Sequence, residues 1–204
     1  MSWHCKVTGA YARTSNEGKD NAIEIYKILA NRGWTLNAIS GVLGNIGWEG
    51  GYNPWRWQSD DVISHLDLPS ILYQSGHAYG LFQFDPAGSY INNTQAQGFS
   101  GFGPNFNDQH GSIRDGNAQV LLVSINGTGG YIQTSSYPLT FQQYQESTQT
   151  PEYLALAWFY NYERGVGHET DRQNEARYWY DLLPTIIPKA KKSKWIYYMK
   201  RRRF

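Results

Sequence analysis

One glutamate in this sequence stands where a proton donor could be built. Glu49 lies in the run Gly44-Asn45-Ile46-Gly47-Trp48-Glu49-Gly50-Gly51-Tyr52-Asn53-Pro54. Upstream, Leu36, Ile39, Val42, Leu43 and Ile46 follow at three- and four-residue steps, which predicts a helix with Thr35 as its N-cap. Continuing that step puts Glu49 on the apolar stripe, in the last turn, before Gly50 and Gly51 end the helix. Burial there and the negative end of the helix dipole would both favour the protonated carboxyl. A carboxyl that keeps its proton near neutral pH can act as a general acid. A structural reading is equally open: buried carboxylates also pair with arginine, and Arg56, Arg164 and Arg172 are the available partners.

The elements that must hold this residue are mostly helical. Asn21–Arg32 reads as a helix stopped by Gly33, and its short connection to the Glu49 helix predicts a helical hairpin. Tyr52–Ser75 is rich in Trp, Asp and Ser and is broken by Pro54 and Pro69. His77–Phe84 reads as a short strand or extended turn ended by Asp85-Pro86, and Ala87–Gln97 as a helix. Gly98–Gly111 reads as a loop, a candidate flap. Ser112 would cap a helix to about Ile125, with a short helix at Thr140–Thr148. Thr150-Pro151-Glu152 combines a cap, a proline at the first helical position and a first-turn acid, which predicts a helix through Tyr162. Thr170 and Asp171 open a final helix ending at Leu183, before Pro184. No internal repeat is visible.

Composition narrows the classes. The 204 residues suit one domain with a full core, or one domain and a tail. The 16 Tyr and 8 Trp allow a surface that stacks on sugars, bases or a protein, although any one of them is better explained as core. A single cysteine, Cys5, permits neither an intrachain disulfide nor a cysteine-based zinc cage. The five histidines, His4, His65, His77, His110 and His168, show no ligand spacing, so no metal or other cofactor is expected. There is no Gly-x-Ser-x-Gly elbow and no phosphate-binding loop. Neither a secretory signal nor a membrane span is read from the sequence, so any action outside a cell is expected to use another route. The net charge of +1 is uneven: Lys189–Phe204 carries eight of the 18 basic residues and no acid. That leaves ten basic against 17 acidic residues, a net of −7, in residues 1–188.

Three segments line up in order: the Glu49 run, then Gly80-Leu81-Phe82-Gln83-Phe84-Asp85, then Ala157-Trp158-Phe159-Tyr160-Asn161-Tyr162-Glu163. Their order and spacing resemble the lysozyme-like superfamily, including goose-type lysozymes and lytic transglycosylases. The closer resemblance is to the phage tail lysozyme family, which includes the lysozyme domain of tail-tip proteins of short-tailed phages. Gly44-Asn45, Asn53-Pro54, Trp57-Gln58, Tyr79 to Gln83, Thr150-Pro151-Glu152, Tyr162-Glu163-Arg164 and Arg177-Tyr178-Trp179-Tyr180 carry it, over roughly residues 18–183. Each motif alone is weak; together and in order they are fairly specific.

The resemblance implies a mostly α, lysozyme-like α+β fold, with a short β-hairpin or extended segment beside the cleft. It implies a hydrolase domain at 18–183, which leaves an N-terminal segment at 1–17 and, by its charge and composition, a basic, aromatic tail at 184–204. Glu49 matches the general acid, Gln83 the glutamine facing substrate, and Tyr160 and Asn161 the Tyr-Asn pair lining the cleft. Asp85 resembles a water-positioning aspartate of goose-type lysozymes, and Asp60 and Asp61 compete with it as second carboxylate. Gly50 departs from the serine that follows the acid in many relatives. Tyr79, Trp55 and Trp57 flank the motifs as candidates to stack on sugar rings. The implied activity is cleavage of the peptidoglycan glycan strand between N-acetylmuramic acid and N-acetylglucosamine, by a virion-borne tail lysozyme aiding genome ejection. A released endolysin, a lytic transglycosylase and an inactive structural tail protein are the rivals. The tail's aromatics and cations suit docking on another tail protein. Nucleic acid is set aside, because no nucleic-acid motif accompanies the charge.

Overall fold

The computed structural model describes residues 3–61, 68–97 and 115–187. The expected flap at Gly98–Gly111, the Ser112 cap and the Lys189–Phe204 tail lie outside these residues. Among the described residues the chain is mostly helical, with helices α1 (Asn16–Asn31), α2 (Leu36–Ile46), α3 (Leu68–Ile71) and α4 (Ala87–Ala96) in the first half. The second half holds α5 (Asp115–Ser124), α6 (Phe141–Gln145), α7 (Pro151–Trp158) and α8 (Glu169–Ile186). No described helix is long and apolar enough to cross a membrane.

Helix α2 is the axis of the fold. Thr35 caps it by accepting from the Ala38 N–H at 3.1 Å, and every residue from Ala38 to Ile46 is buried. It is therefore enclosed on all sides rather than on one stripe. Helices α7 and α8 pack against it and against each other, with α6 at its start and α1 on another side. Gly44 makes the crossing with α8 possible, since a Cβ there would lie 2.5 Å from the Arg172 carbonyl oxygen. Trp34, Tyr131, Tyr144 and Trp158 fill the space beside α2 with tilted and edge-on ring contacts.

Helix α1 begins five residues earlier than the apolar pattern indicates. Ser15 caps it by accepting from Gly18 N–H at 3.0 Å, and its first turn, Asn-Glu-Gly-Lys-Asp, is too polar to show the stripe. The N-terminal residues pack on the domain. Trp3 is buried and donates to Asn117 Oδ1 at 2.8 Å, while Asn53 Nδ2 donates to the Lys6 and Gly9 carbonyls, each at 2.8 Å.

Two segments depart from the expected pattern. The β-hairpin is not formed. The extended stretch makes isolated bridges, Trp57 with Tyr79 and Tyr79 with Phe84, and no strand occurs among the described residues. Gly80 at φ 85° and Gln83 at φ 44° turn the chain into the left-handed region, so pairing stops after one bridge. The helix expected through Tyr162 is regular only to Trp158 and then widens into a π turn, Phe159–Glu163. Arg164, left-handed at φ 55°, closes that turn by donating its N–H to the Phe159 carbonyl at 2.7 Å. Helix α8 runs on past Pro184 to Ile186, because a proline in the last turn removes only one bond.

Candidate active site

Glu49 lies just past the end of α2, in the turn that follows, rather than within the last helical turn. Its N–H still donates to the Asn45 carbonyl at 3.0 Å, but the regular helix stops at Ile46. The turn is clamped from outside. Arg56 Nη1 donates to the Glu49 carbonyl at 3.2 Å, and the Gly50 N–H donates to the Leu81 carbonyl at 3.2 Å. Gly50 is required by this approach: a Cβ there would sit 2.4 Å from Leu81 Cα and 2.5 Å from the Gly80 oxygen. The departure from serine at this position therefore coincides with a direct backbone contact between the Glu49 turn and the Gly80–Gln83 segment.

The Glu49 side chain retains 23% exposure and is held by one arginine. Arg172 Nη2 donates to Glu49 Oε1 at 2.8 Å, while its Nη1 donates to Asn45 Oδ1 at 2.9 Å. Asn45 in turn donates from Nδ2 to the Gly41 and Ala155 carbonyls, both at 2.9 Å, tying α2 to α7. The guanidinium carbon of Arg172 lies 4.3 Å from the centre of the Phe159 ring. Of the three arginines the sequence offered, Arg172 takes the carboxylate and Arg56 the backbone carbonyl. The remaining exposure leaves part of the carboxyl open to a ligand.

A cleft of about 300 Å³ is lined by Phe82, Gln83, Asp85, Thr128, Glu163 and Arg164 among others; Glu49 is not one of its lining residues. Gln83 donates from Nε2 to the Gly80 and Arg56 carbonyls at 2.9 and 3.2 Å, which fixes its amide. Asp85 is exposed and oriented, accepting from Ser75 Oγ at 3.0 Å and from the Gly76 N–H at 2.9 Å. Asp61 is exposed, follows the short 3₁₀ turn Gln58–Asp60 and is not part of the cleft wall. Its neighbour Asp60 is occupied: Arg56 Nε donates to it at 2.8 Å and the Gly9 N–H at 3.0 Å. The Arg56 hydrogen bond holds the Asp60 carboxyl below the usual range.

Several expected contact residues are core. Tyr79 is fully buried and donates to Asp115 Oδ2 at 2.6 Å, and Trp57 is 1% exposed and packs on the Tyr79 ring. Neither presents a face to a sugar. Trp55 is half-buried and packed against the core. Asn161 is fully buried. Its Oδ1 accepts from the Thr134 N–H and Oγ1 at 3.0 and 2.7 Å, and its Nδ2 donates to Tyr131 Oη and the Tyr137 carbonyl, each at 2.9 Å. It pins the 131–137 segment instead of facing the cleft. Tyr160 is half-buried, stacks on Tyr137 and donates to Glu169 Oε1 at 3.0 Å.

The residue that reasoning from sequence passed over is Glu163. It ends the π turn, lines the cleft and accepts from Trp158 Nε1 at 3.0 Å. Although the residue keeps partial exposure, burial of the carboxyl and then the Glu49 charge push its pKa up to about 8, against the opposing pull of Trp158, Arg172 and Arg164. Its only trace in the sequence was the Tyr162-Glu163-Arg164 motif, which carried no role. In a regular helix Glu163 would point elsewhere; the extra residue in the π turn changes its direction.

Morphogenesis protein 1 of Bacillus phage B103 is 29% identical over 167 residues, covering 80% of this chain and 39% of the phage protein. The chain thus spans well under half the length of that relative. The profile of the phage tail lysozyme family matches residues 20–183, nearly the whole of the described domain. The chain belongs to the phage tail lysozyme family.

Proposed function

We propose that this protein is a phage tail-associated lysozyme that cleaves the bacterial peptidoglycan glycan strand between N-acetylmuramic acid and N-acetylglucosamine, with Glu49 as general acid. The observation that carries the reading is the partly open Glu49 carboxyl, held by Arg172 in a turn clamped to the Gly80–Gln83 segment, in a chain of this family. Glycoside cleavage needs a proton for the leaving oxygen and a carboxylate or oriented water on the other side of the sugar. Asp85 supplies the second function: Ser75 and Gly76 orient its carboxylate on the cleft wall, where it can hold a water. Gln83 and the Gly80–Leu81 backbone, locked to the Glu49 turn, set the acid's position relative to the sugar. Asp61, exposed after the 3₁₀ turn, is the alternative second carboxylate to Asp85.

Within the virion the activity would open the wall locally for genome ejection. The Lys189–Phe204 stretch is assigned to docking on a neighbouring tail protein, its charge steering the contact and its aromatics anchoring it. Truncation after Pro188 should leave hydrolysis of purified peptidoglycan intact and prevent incorporation into particles; normal incorporation would refute that assignment.

The direct test of the activity is digestion of purified peptidoglycan followed by mass spectrometry of the products. Hydrolysis predicts reducing N-acetylmuramic acid ends, whereas 1,6-anhydro ends would mean transglycosylation. A second reading, a tail-assembly protein with a silent lysozyme fold, is favoured by the relative's name, morphogenesis protein. Release of no glycan product by folded protein would select it.

A further inference from the structure

We propose that Trp48 is a sugar platform: its indole, backed by His168, receives a pyranose ring of the glycan strand beside the bond that Glu49 cleaves. This rests on Glu49 being the acid, and it adds a binding residue to that reaction. Trp55, Trp57 and Tyr79 belong to the core or pack on it, whereas Trp48 keeps 42% exposure and is joined to Glu49 by a peptide bond.

The turn ties the platform to the acid. The N–H groups of Trp48 and Glu49 donate to the same carbonyl, that of Asn45, at 2.9 and 3.0 Å. Gly47 just before them is packed tightly, since a Cβ there would lie 2.9 Å from Tyr52 Oη and 3.0 Å from Glu175 Cγ. Both side chains then meet the start of α8. The Trp48 ring stacks on His168, with centroids 4.4 Å apart and planes 19° from parallel, and Glu49 Oε1 accepts from Arg172 Nη2 at 2.8 Å. His168 and Arg172 are successive positions on one face, because the His168 carbonyl accepts the Arg172 N–H at 3.0 Å. The stack and the ion pair are therefore about one helical turn apart, roughly 5 Å. A sugar on the platform is a neighbour of the bond at the acid.

The ring is held before any ligand arrives. His168 stands at φ 64° at the start of α8, and its Nδ1 is hydrogen-bonded to Asp171 Oδ2 at 3.2 Å. With the indole already stacked, less side-chain freedom is lost on binding. A pyranose presents a face of C–H bonds that packs on an aromatic surface while its hydroxyls stay in water, and indole offers the largest such surface. The exposed loop that leads to His168 starts at Arg164 on the cleft wall and carries Val166, 92% exposed. A protein seated on Trp48 would cover the acid, whereas a glycan lying across it reaches the acid. The glycan is the occupant this surface fits.

The test uses the full chain carrying Glu49→Gln, which binds without turnover. The probe is a peptide-free tetrasaccharide of alternating N-acetylglucosamine and N-acetylmuramic acid. By calorimetry, adding Trp48→Ala should raise Kd about tenfold, and Trp48→Phe, which keeps a ring, should restore most of the affinity. An unchanged Kd in folded Trp48→Ala overturns the proposal. A second measurement needs no alanine variant: the Trp48 indole N–H signal, assigned by its absence from Trp48→Phe, should shift as the tetrasaccharide is added. An unmoved signal at saturation overturns it as well. With Glu49 intact, Trp48→Ala should raise KM on peptidoglycan and largely keep kcat. A fall in kcat at unmoved KM would make Trp48 a support of the Glu49 turn and overturn the platform. Unchanged binding in Trp48→Ala, with lysis still dependent on Glu49, would refute this inference alone. Binding that depends on Trp48, with no glycan cleaved by wild type, would refute the activity alone, and a parent that binds no tetrasaccharide would refute both.

Discussion

Replacing Arg172 by methionine isolates what holds the proposed acid in place. The substitution keeps length and apolar packing but removes the donor to Glu49 at 2.8 Å, the donor to Asn45 at 2.9 Å and the cation over Phe159. Breaking one side of a buried ion pair costs about 3–5 kcal/mol. Arg172 is 7% exposed, but Glu49 keeps 23% exposure and can turn to water, so the low end, about 3 kcal/mol, is expected. For a domain of this size that corresponds to a fall of roughly 6–12 °C in Tm. Scanning calorimetry of wild type, Arg172→Met and Arg172→Lys gives the comparison, with lysine intermediate because it keeps the charge without the fork. A double-mutant cycle with Glu49→Gln should yield a coupling of about 1 kcal/mol or more. A Tm for Arg172→Met within assay error of wild type, or additive single effects, would refute the claim that this contact holds Glu49.

Three further outcomes are expected. Gly50→Ala places a Cβ 2.4 Å from Leu81 Cα, against backbone that cannot yield cheaply, so urea unfolding should show a loss of about 1–3 kcal/mol. Lysis should fall with it, because the Glu49 turn and the Gln83 segment separate. Tyr79→Phe removes a donor from buried Asp115 and should cost about 1–3 kcal/mol in the same assay, with no change in KM for peptidoglycan. The Glu163 carboxyl binds its proton more tightly folded than unfolded, so its contribution is full below the unfolded value of 4.5 and is lost as pH rises toward about 8. Stability measured by urea titration should fall across that window in wild type, and the fall should flatten in Glu163→Gln.

Legibility in the sequence followed how local each determinant is. The caps at Thr35 and Thr150 are set by neighbours three residues away and were readable, the last with Pro151, whereas Thr140, read as the first residue of a helix, is the cap of α6. Glu49 was readable because an acid at helical spacing below an apolar stripe is uncommon; that the regular helix stops at Ile46 was not, since the clamp comes from Leu81 and Arg56. Ser15 was missed because a polar first turn carries no periodicity. The π turn left no periodic mark either, and its consequences were the largest: Asn161 turns inward, Glu163 joins the cleft wall and Tyr160 packs on Tyr137. Tyr79 and Trp57 were ambiguous in the sequence, because an aromatic beside a motif reads alike as core or as a stacking surface. Their burial depends on Asp115 and on the bridge between them, contacts far apart in sequence.

The most direct test of the central claim is the rate at which purified Glu49→Gln protein releases reducing ends from purified peptidoglycan, measured beside wild type at matched concentration and pH. General acid catalysis is worth about 10²–10⁴-fold, so the variant should lose at least two orders of magnitude while its circular dichroism stays unchanged. A folded Glu49→Gln protein that releases reducing ends at the wild-type rate would show that Glu49 is not the acid.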